Sequence, residues 1–85
     1  MKSSNLLKRR KVLATLANEL KITVNGSAME LPDGATIENL LIQLELDARL
    51  VAVERNLEIV PKANYSAEKI APGDSIEIVQ FVGGG

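Results

Sequence analysis

The eleven residues Lys21 to Leu31, KITVNGSAMEL, constrain the fold of this chain more than any other stretch. Ile22 and Val24 alternate with polar neighbours, Met29 and Leu31 resume the alternation, and Asn25-Gly26 stands between the two runs. Strand alternation interrupted by Asn-Gly is the strongest short-range signal for a two-residue β-hairpin, because both turn residues must take positive φ. The domain is therefore predicted to open with two antiparallel strands. Pro32 and Gly34 end the second of them, and Thr36 is positioned to cap a helix whose apolar residues Ile37, Leu40, Leu41 and Leu44 keep i, i+3, i+4, i+7 spacing. Glu38 falls near the positive end of that helix, where a carboxylate is favoured.

Downstream, LVAVERN (Leu50 to Asn56) reads as a buried strand, with LEIVP following across a bend at Asn56-Leu57. KANYSAEKIA has no clean period and is predicted to be an irregular connection with a single helical turn near Tyr65. Pro72 to Asp74 turn the chain into a last strand, SIEIVQFV. The predicted order is strand, strand, helix, strand, short strand, strand. This implies an α+β domain with a mixed sheet of four to five strands and one main helix packed across one face.

At 85 residues, 46% of them hydrophobic, the chain is near the lower size limit for a self-sufficient core. So small a core nets only about 3–5 kcal/mol and leaves little room for a substrate cleft, so function is expected on an edge or a tail. With neither Cys nor His, the usual zinc, iron–sulfur and thiol sites are ruled out, and no metal or cofactor is expected to be bound by this chain. There is no P-loop, and no apolar run approaches the roughly 20 residues that span a bilayer. Tyr65 and Phe81 are the only aromatics and the formal charge is −1, which argues against a nucleic-acid surface.

That net charge divides unevenly. Residues 1–20 carry five basic groups against one acidic, +4, and residues 21–85 carry five against ten, −5. The shift places a boundary near Leu20, separating a basic extension (1–20) from the domain (21–85). Leu6, Leu13, Leu16, Ala17 and Leu20 are compatible with a basic amphipathic helix after Ser3 or Ser4, and equally with an appended leader that plays no part in the fold. KRRK (Lys8 to Lys11) reads as a solvated segment in preference to a membrane or nucleic-acid contact.

The chain finishes on IVQFVGGG, and here the alternation breaks. Ile76 and Ile78 share a face opposite Glu77, whereas Val79, Phe81 and Val82 place apolar groups where the strand had been polar. Either the strand end twists over the sheet edge or these residues form a docking surface. Gly83, Gly84 and Gly85 lack Cβ atoms, so such a segment can extend through a channel too narrow for side chains. The group it would deliver is the carboxylate of Gly85, which becomes reactive only when a partner enzyme converts one oxygen to a leaving group, as ATP does by forming an acyl-adenylate.

Taken in order, KITVNG, LPDGATIENLL, VAVERN with IVP, and PGDSIEIVQFVGGG resemble the ThiS family of thiamine-biosynthesis sulfur carriers over residues 21–85. The resemblance implies a β-grasp, ubiquitin-like fold and a carrier, not an enzyme, acting in the cytoplasm. By that resemblance an E1-like adenylating enzyme uses ATP and magnesium on Gly85, and sulfur from a cysteine desulfurase-type source yields a thiocarboxylate for thiazole synthase. Gly84 and Gly85 carry over as the terminal diglycine, and Phe81 and Val82, with Gly83 and Val79, as partner contacts. A thiocarboxylate needs no thiol side chain, so the missing cysteine is consistent with this chemistry.

The sequence departs from the family pattern twice. The family starts where Leu20 stands here, and Asn56-Leu57 replaces the Asn-Gly expected at that bend. Because a bulky residue at positive φ is strained, the loop is predicted to be longer or reshaped, with Leu57 turned outward to enlarge the docking patch. The small subunit of molybdopterin synthase shares the implied fold and diglycine, but IVQFVGGG lacks its proline-containing approach. A ubiquitin-like modifier joined to lysine through Gly85 and a noncatalytic TGS-like module are the remaining alternatives.

Overall fold

The computed structural model describes residues 19–81. Its elements follow the predicted order: β1 (Glu19–Val24), β2 (Ser27–Pro32), α1 (Ile37–Gln43), β3 (Val51–Arg55), β4 (Glu58–Val60) and β5 (Ser75–Gln80), with short 3₁₀ turns at Ala48–Leu50 and Lys62–Asn64. Five strands form one mixed sheet in the order β2-β1-β5-β3-β4. β1 pairs antiparallel with β2 and parallel with β5, while β3 pairs antiparallel with both β4 and β5. The last strand in sequence is therefore the central strand in space.

The hairpin forms as the sequence predicts, with Asn25 at φ 49° and Gly26 at φ 84° between Val24 and Ser27, which pair directly. Strand alternation sends Leu20, Ile22, Leu31, Val51, Val53 and Ile76 to one face, where they bury against Ile37, Leu40 and Leu41 of α1. α1 begins at Thr36 through a reciprocal cap. The Thr36 hydroxyl accepts from the Asn39 N–H (3.1 Å), and the Asn39 side-chain oxygen accepts from the Thr36 N–H (3.0 Å).

The aperiodic segment after β4 seals this same end of the helix. The carbonyls of Glu68 and Tyr65 accept from the N–H groups of Ile37 and Glu38, donors that a helix start otherwise leaves without partners. Its path is set by these contacts and by burial of Tyr65 and Ile70, which explains the absence of any repeat period. Burial raises the pKa of the Tyr65 phenol, against an opposing hydrogen bond at the Val53 backbone.

Two boundaries differ from expectation. Glu19 and Leu20, assigned to the extension by charge, belong to β1: Leu20 pairs with Leu31 and is buried with it. Charge composition marks where solvation changes, whereas the strand begins where an inward side chain finds a core. Residues 1–18, which hold the rest of the expected extension, lie outside the described residues.

The second difference concerns the bend at Asn56-Leu57. Arg55 pairs directly with Glu58, so the loop is a two-residue turn and is not lengthened. Asn56 and Leu57 both take positive φ, 53° and 71°. A hydrogen-bond network fixes the turn. Asn56 Nδ2 donates to Asp74 Oδ1 (3.0 Å), Asn56 Oδ1 accepts from the Ser75 N–H (2.9 Å), and the Asn56 N–H donates to the Ser75 carbonyl (2.8 Å). Asp74 is buried and also accepts from the Ala71 N–H, and Arg55 adds ion pairs to Glu68 (2.9 Å) and Asp74 (3.6 Å). Leu57 is thereby held in a left-handed conformation that costs a branched-chain residue about 1–2 kcal/mol. Leu57→Gly relieves that cost at the expense of unfolded-state entropy, so a net stabilisation of about 0.5–1 kcal/mol is expected, read as a higher urea midpoint at unchanged m-value.

Candidate functional site: the end of the central strand

β5 carries the C-terminal segment, and both of its neighbours brace it. On the β1 side the backbone ladder ends where the Asn25 N–H donates to the Ile76 carbonyl (2.8 Å). The Asn25 side chain then takes over the role of the missing strand. Its Oδ1 accepts from the Ile78 N–H (2.7 Å) and its Nδ2 donates to the Ile78 carbonyl (3.2 Å). On the β3 side the ladder runs from Arg55↔Ile76 to Val51↔Gln80, and the Phe81 N–H donates to the Leu50 carbonyl (2.7 Å). The sequence marks Asn25 only as a turn residue; its side-chain contact spans 53 positions and has no local signal.

Among the expected site residues, Val79 and Phe81 lie at this end of β5 and are exposed, 59% and 52%. The β3–β5 register sets Ala52 beside Val79, and the Leu50–Phe81 hydrogen bond continues it by one pair. Leu50, expected to start a buried strand, is instead exposed at 47% and joins the patch. Leu50, Val79 and Phe81 thus form an exposed apolar patch of modest size at one end of the sheet.

Leu57 does not belong to it. It follows Arg55, which pairs with Ile76 at the opposite end of β5 from Phe81, so the strand length separates Leu57 from the patch. Its 87% exposure is a local property of the β3–β4 turn. The other expected positions, Val82, Gly83, Gly84 and Gly85, lie outside the described residues.

Three further polar residues are sorted by the same register. Arg55 is committed to the far end, with Nη1 also donating to the Lys69 carbonyl (2.8 Å), and Tyr65 is buried. Lys62 lies at the Phe81 end, its Nζ 5.7 Å from the Phe81 ring centroid and 6.0 Å from that of Tyr65. Nearby, the Asp47 carboxylate accepts from the Arg49 guanidinium and backbone, which lowers its pKa to about 2, with the Lys62 charge adding to the effect. Among the described residues no cluster of carboxylates could hold a metal ion, and no helix is long and apolar enough to cross a membrane.

An α+β domain whose last strand is central, braced on both sides and followed by Gly83-Gly84-Gly85 is the geometry the family resemblance implies. The ThiS family model matches residues 11–85. The chain belongs to the ThiS family. It is 47% identical over 53 residues to the sulfur carrier protein ThiS of Bacillus subtilis, an overlap of 62% of this chain and 80% of that one. The crystal structure of the thiamine biosynthesis protein ThiS from Geobacter metallireducens superposes with a TM-score of 0.63 at 34% identity, covering 78% of this chain and all of that one. The β-grasp fold of this ThiS-family domain is thus shared with a solved relative.

A second kind of relative is larger. A thiazole synthase of Paramagnetospirillum magneticum is 48% identical over 66 residues, 78% of this chain, and the chain spans only 20% of that protein's length.

Proposed function

We propose that this chain is a sulfur carrier of thiamine biosynthesis whose reacting group is the carboxylate of Gly85. The observation that carries the reading is the position of β5: the central strand, hydrogen-bonded on both sides, ends in exposed Val79 and Phe81, two positions before the terminal glycines in sequence. An E1-like adenylating enzyme, with ATP and magnesium, binds the patch of Val79 and Phe81, together with Val82 and Gly83 that follow in sequence, and takes the glycines into its active site. The Gly85 carboxylate attacks the α-phosphate, releasing pyrophosphate; the terminal sulfur of a persulfide from a cysteine desulfurase-type donor then displaces AMP to give an acyl disulfide, and a partner thiol cleaves its S–S bond, freeing the thiocarboxylate and leaving a disulfide on the donor side. The resulting thiocarboxylate passes its sulfur to thiazole synthase, a partner supported by the likeness of this domain to a fifth of a thiazole synthase chain. In this reading the chain works in the cytoplasm as a substrate of its partners and holds no cofactor of its own.

Intact-mass measurement tests the proposal. After incubation with the adenylating enzyme, ATP, magnesium and a sulfur donor, the chain is expected to gain the mass difference between sulfur and oxygen. Appearance of the chain on lysines of larger proteins would show a modifier instead, and an unchanged mass under conditions that convert a known ThiS protein would show a binding module.

A further inference from the structure

Lys62 is placed unlike an ordinary surface lysine. β4 ends at Val60, and continuing its register would set Lys62 opposite Val51, but the chain turns instead into the 3₁₀ segment Lys62–Asn64, so the strand pairing stops short of the Val51 carbonyl. The Lys62 ammonium fills that gap, donating to the carbonyl of Val51 and to that of Ala48 (3.1 Å) in the neighbouring 3₁₀ turn. Both acceptors flank Leu50, whose own carbonyl receives the Phe81 N–H. The same ammonium stands 5.7 Å from the Phe81 centroid, within the range of cation–π attraction. One charge therefore joins the start of β3, the 3₁₀ turn and the last aromatic side chain before the glycines.

We propose that Lys62 is a positioning residue for partner recognition: anchored by the Ala48 and Val51 carbonyls, its ammonium sets how the Phe81 ring is presented to the adenylating enzyme. The proposal rests on the carrier reading for its kinetic consequence, but not for its structural one. A long lysine side chain loses considerable rotamer freedom when it is held at a surface, and two carbonyl acceptors plus an aromatic face offset that loss here. Preorganising a docking side chain reduces the entropy lost on association. Its removal should act on the binding of the carrier and leave the adenylation step, which takes place at Gly85, unaltered.

The full chain is compared with Lys62→Met, which keeps the aliphatic stem without the charge, and with Lys62→Arg. Lys62→Met is expected to raise KM for the carrier in the adenylation assay about twofold to fivefold, the span of cation–π contacts at exposed sites, with kcat unchanged and Lys62→Arg close to wild type. Phe81→Leu is expected to give a similar rise, and the double variant one no larger than the greater single effect. Multiplying effects, or a fall in kcat at unchanged KM, would overturn the proposal. In the free protein the Hε protons of Lys62 should show a Phe81-dependent ring-current shift in NMR spectra, one that is lost in Phe81→Leu while the contribution of the Tyr65 ring remains. Absence of that shift overturns the proposal without any substitution at Lys62, so the test survives a Lys62→Met variant that fails to fold. Failure of the wild-type chain to be thiocarboxylated would sink the carrier reading instead, leaving the ring-current result to decide the Lys62–Phe81 contact.

Discussion

Deletion of Gly85 is expected to abolish thiocarboxylate formation while leaving the thermal midpoint unchanged. Every described core residue lies between Leu20 and Ile76, nine positions before Gly85 in sequence, so the deletion leaves the described core intact. What it removes is reach. The shortened chain still ends in a carboxylate, that of Gly84, but this group sits one residue, about 3.5 Å, nearer the domain. Reacting atoms must come within about 3–3.5 Å of one another in the right orientation, so a partner site matched to the full tail would hold the shorter carboxylate out of range. The measurement is intact mass with the adenylating enzyme, supported by growth of cells that depend on this protein for thiazole. Conversion of the shortened chain at the wild-type rate would refute the assignment of the chemistry to Gly85.

Leu40→Ala is expected to unfold most of the protein. Leu40 is fully buried in α1 and packs in the cluster that includes Leu20, Ile22, Leu31 and Ile76. Truncation of a buried leucine costs about 2–5 kcal/mol, the transfer of the lost atoms plus the cavity left behind. A core of this size supplies net stability of the same magnitude, so little or none remains. Ile42, two residues along and 66% exposed, provides the control: Ile42→Ala should change stability by no more than about 0.5 kcal/mol. Chemical denaturation followed by circular dichroism distinguishes the two, and equal effects at both positions would contradict the assigned helix face.

The comparison of Leu40 with Ile42 shows how far local pattern reaches. The 3.6-residue period alone identifies Ile37, Leu40 and Leu41 as inward, and Asn25-Gly26 and Thr36 mark a turn and a helix start by their own chemistry. Leu57 shows where this reasoning fails. Its bulk argues for a longer loop, yet the network of Asn56, Asp74, Ser75 and Arg55 holds a two-residue turn against the local preference, using partners about 18 positions away. Apolar character and exposure group Leu57 with Phe81, but the β3–β5 register places them at opposite ends. Asn25 and Lys62 carry no local sign of supporting β5 for a related reason: the partners that give them this role, Ile78, Ala48 and Val51, lie 11 to 53 positions distant.

By itself the sequence determined the elements, the inward face of α1, and, through the lack of Cys and His, the exclusion of the usual zinc, iron–sulfur and thiol sites. Only the tertiary structure decided that β5 lies between β1 and β3, and with it which side chains surround the root of the tail. Alternation states which face of a strand is apolar but carries no information about its neighbours. Strand order and register come from closing loops tens of residues long around a shared core, where the gain in burial is collective and belongs to no local stretch.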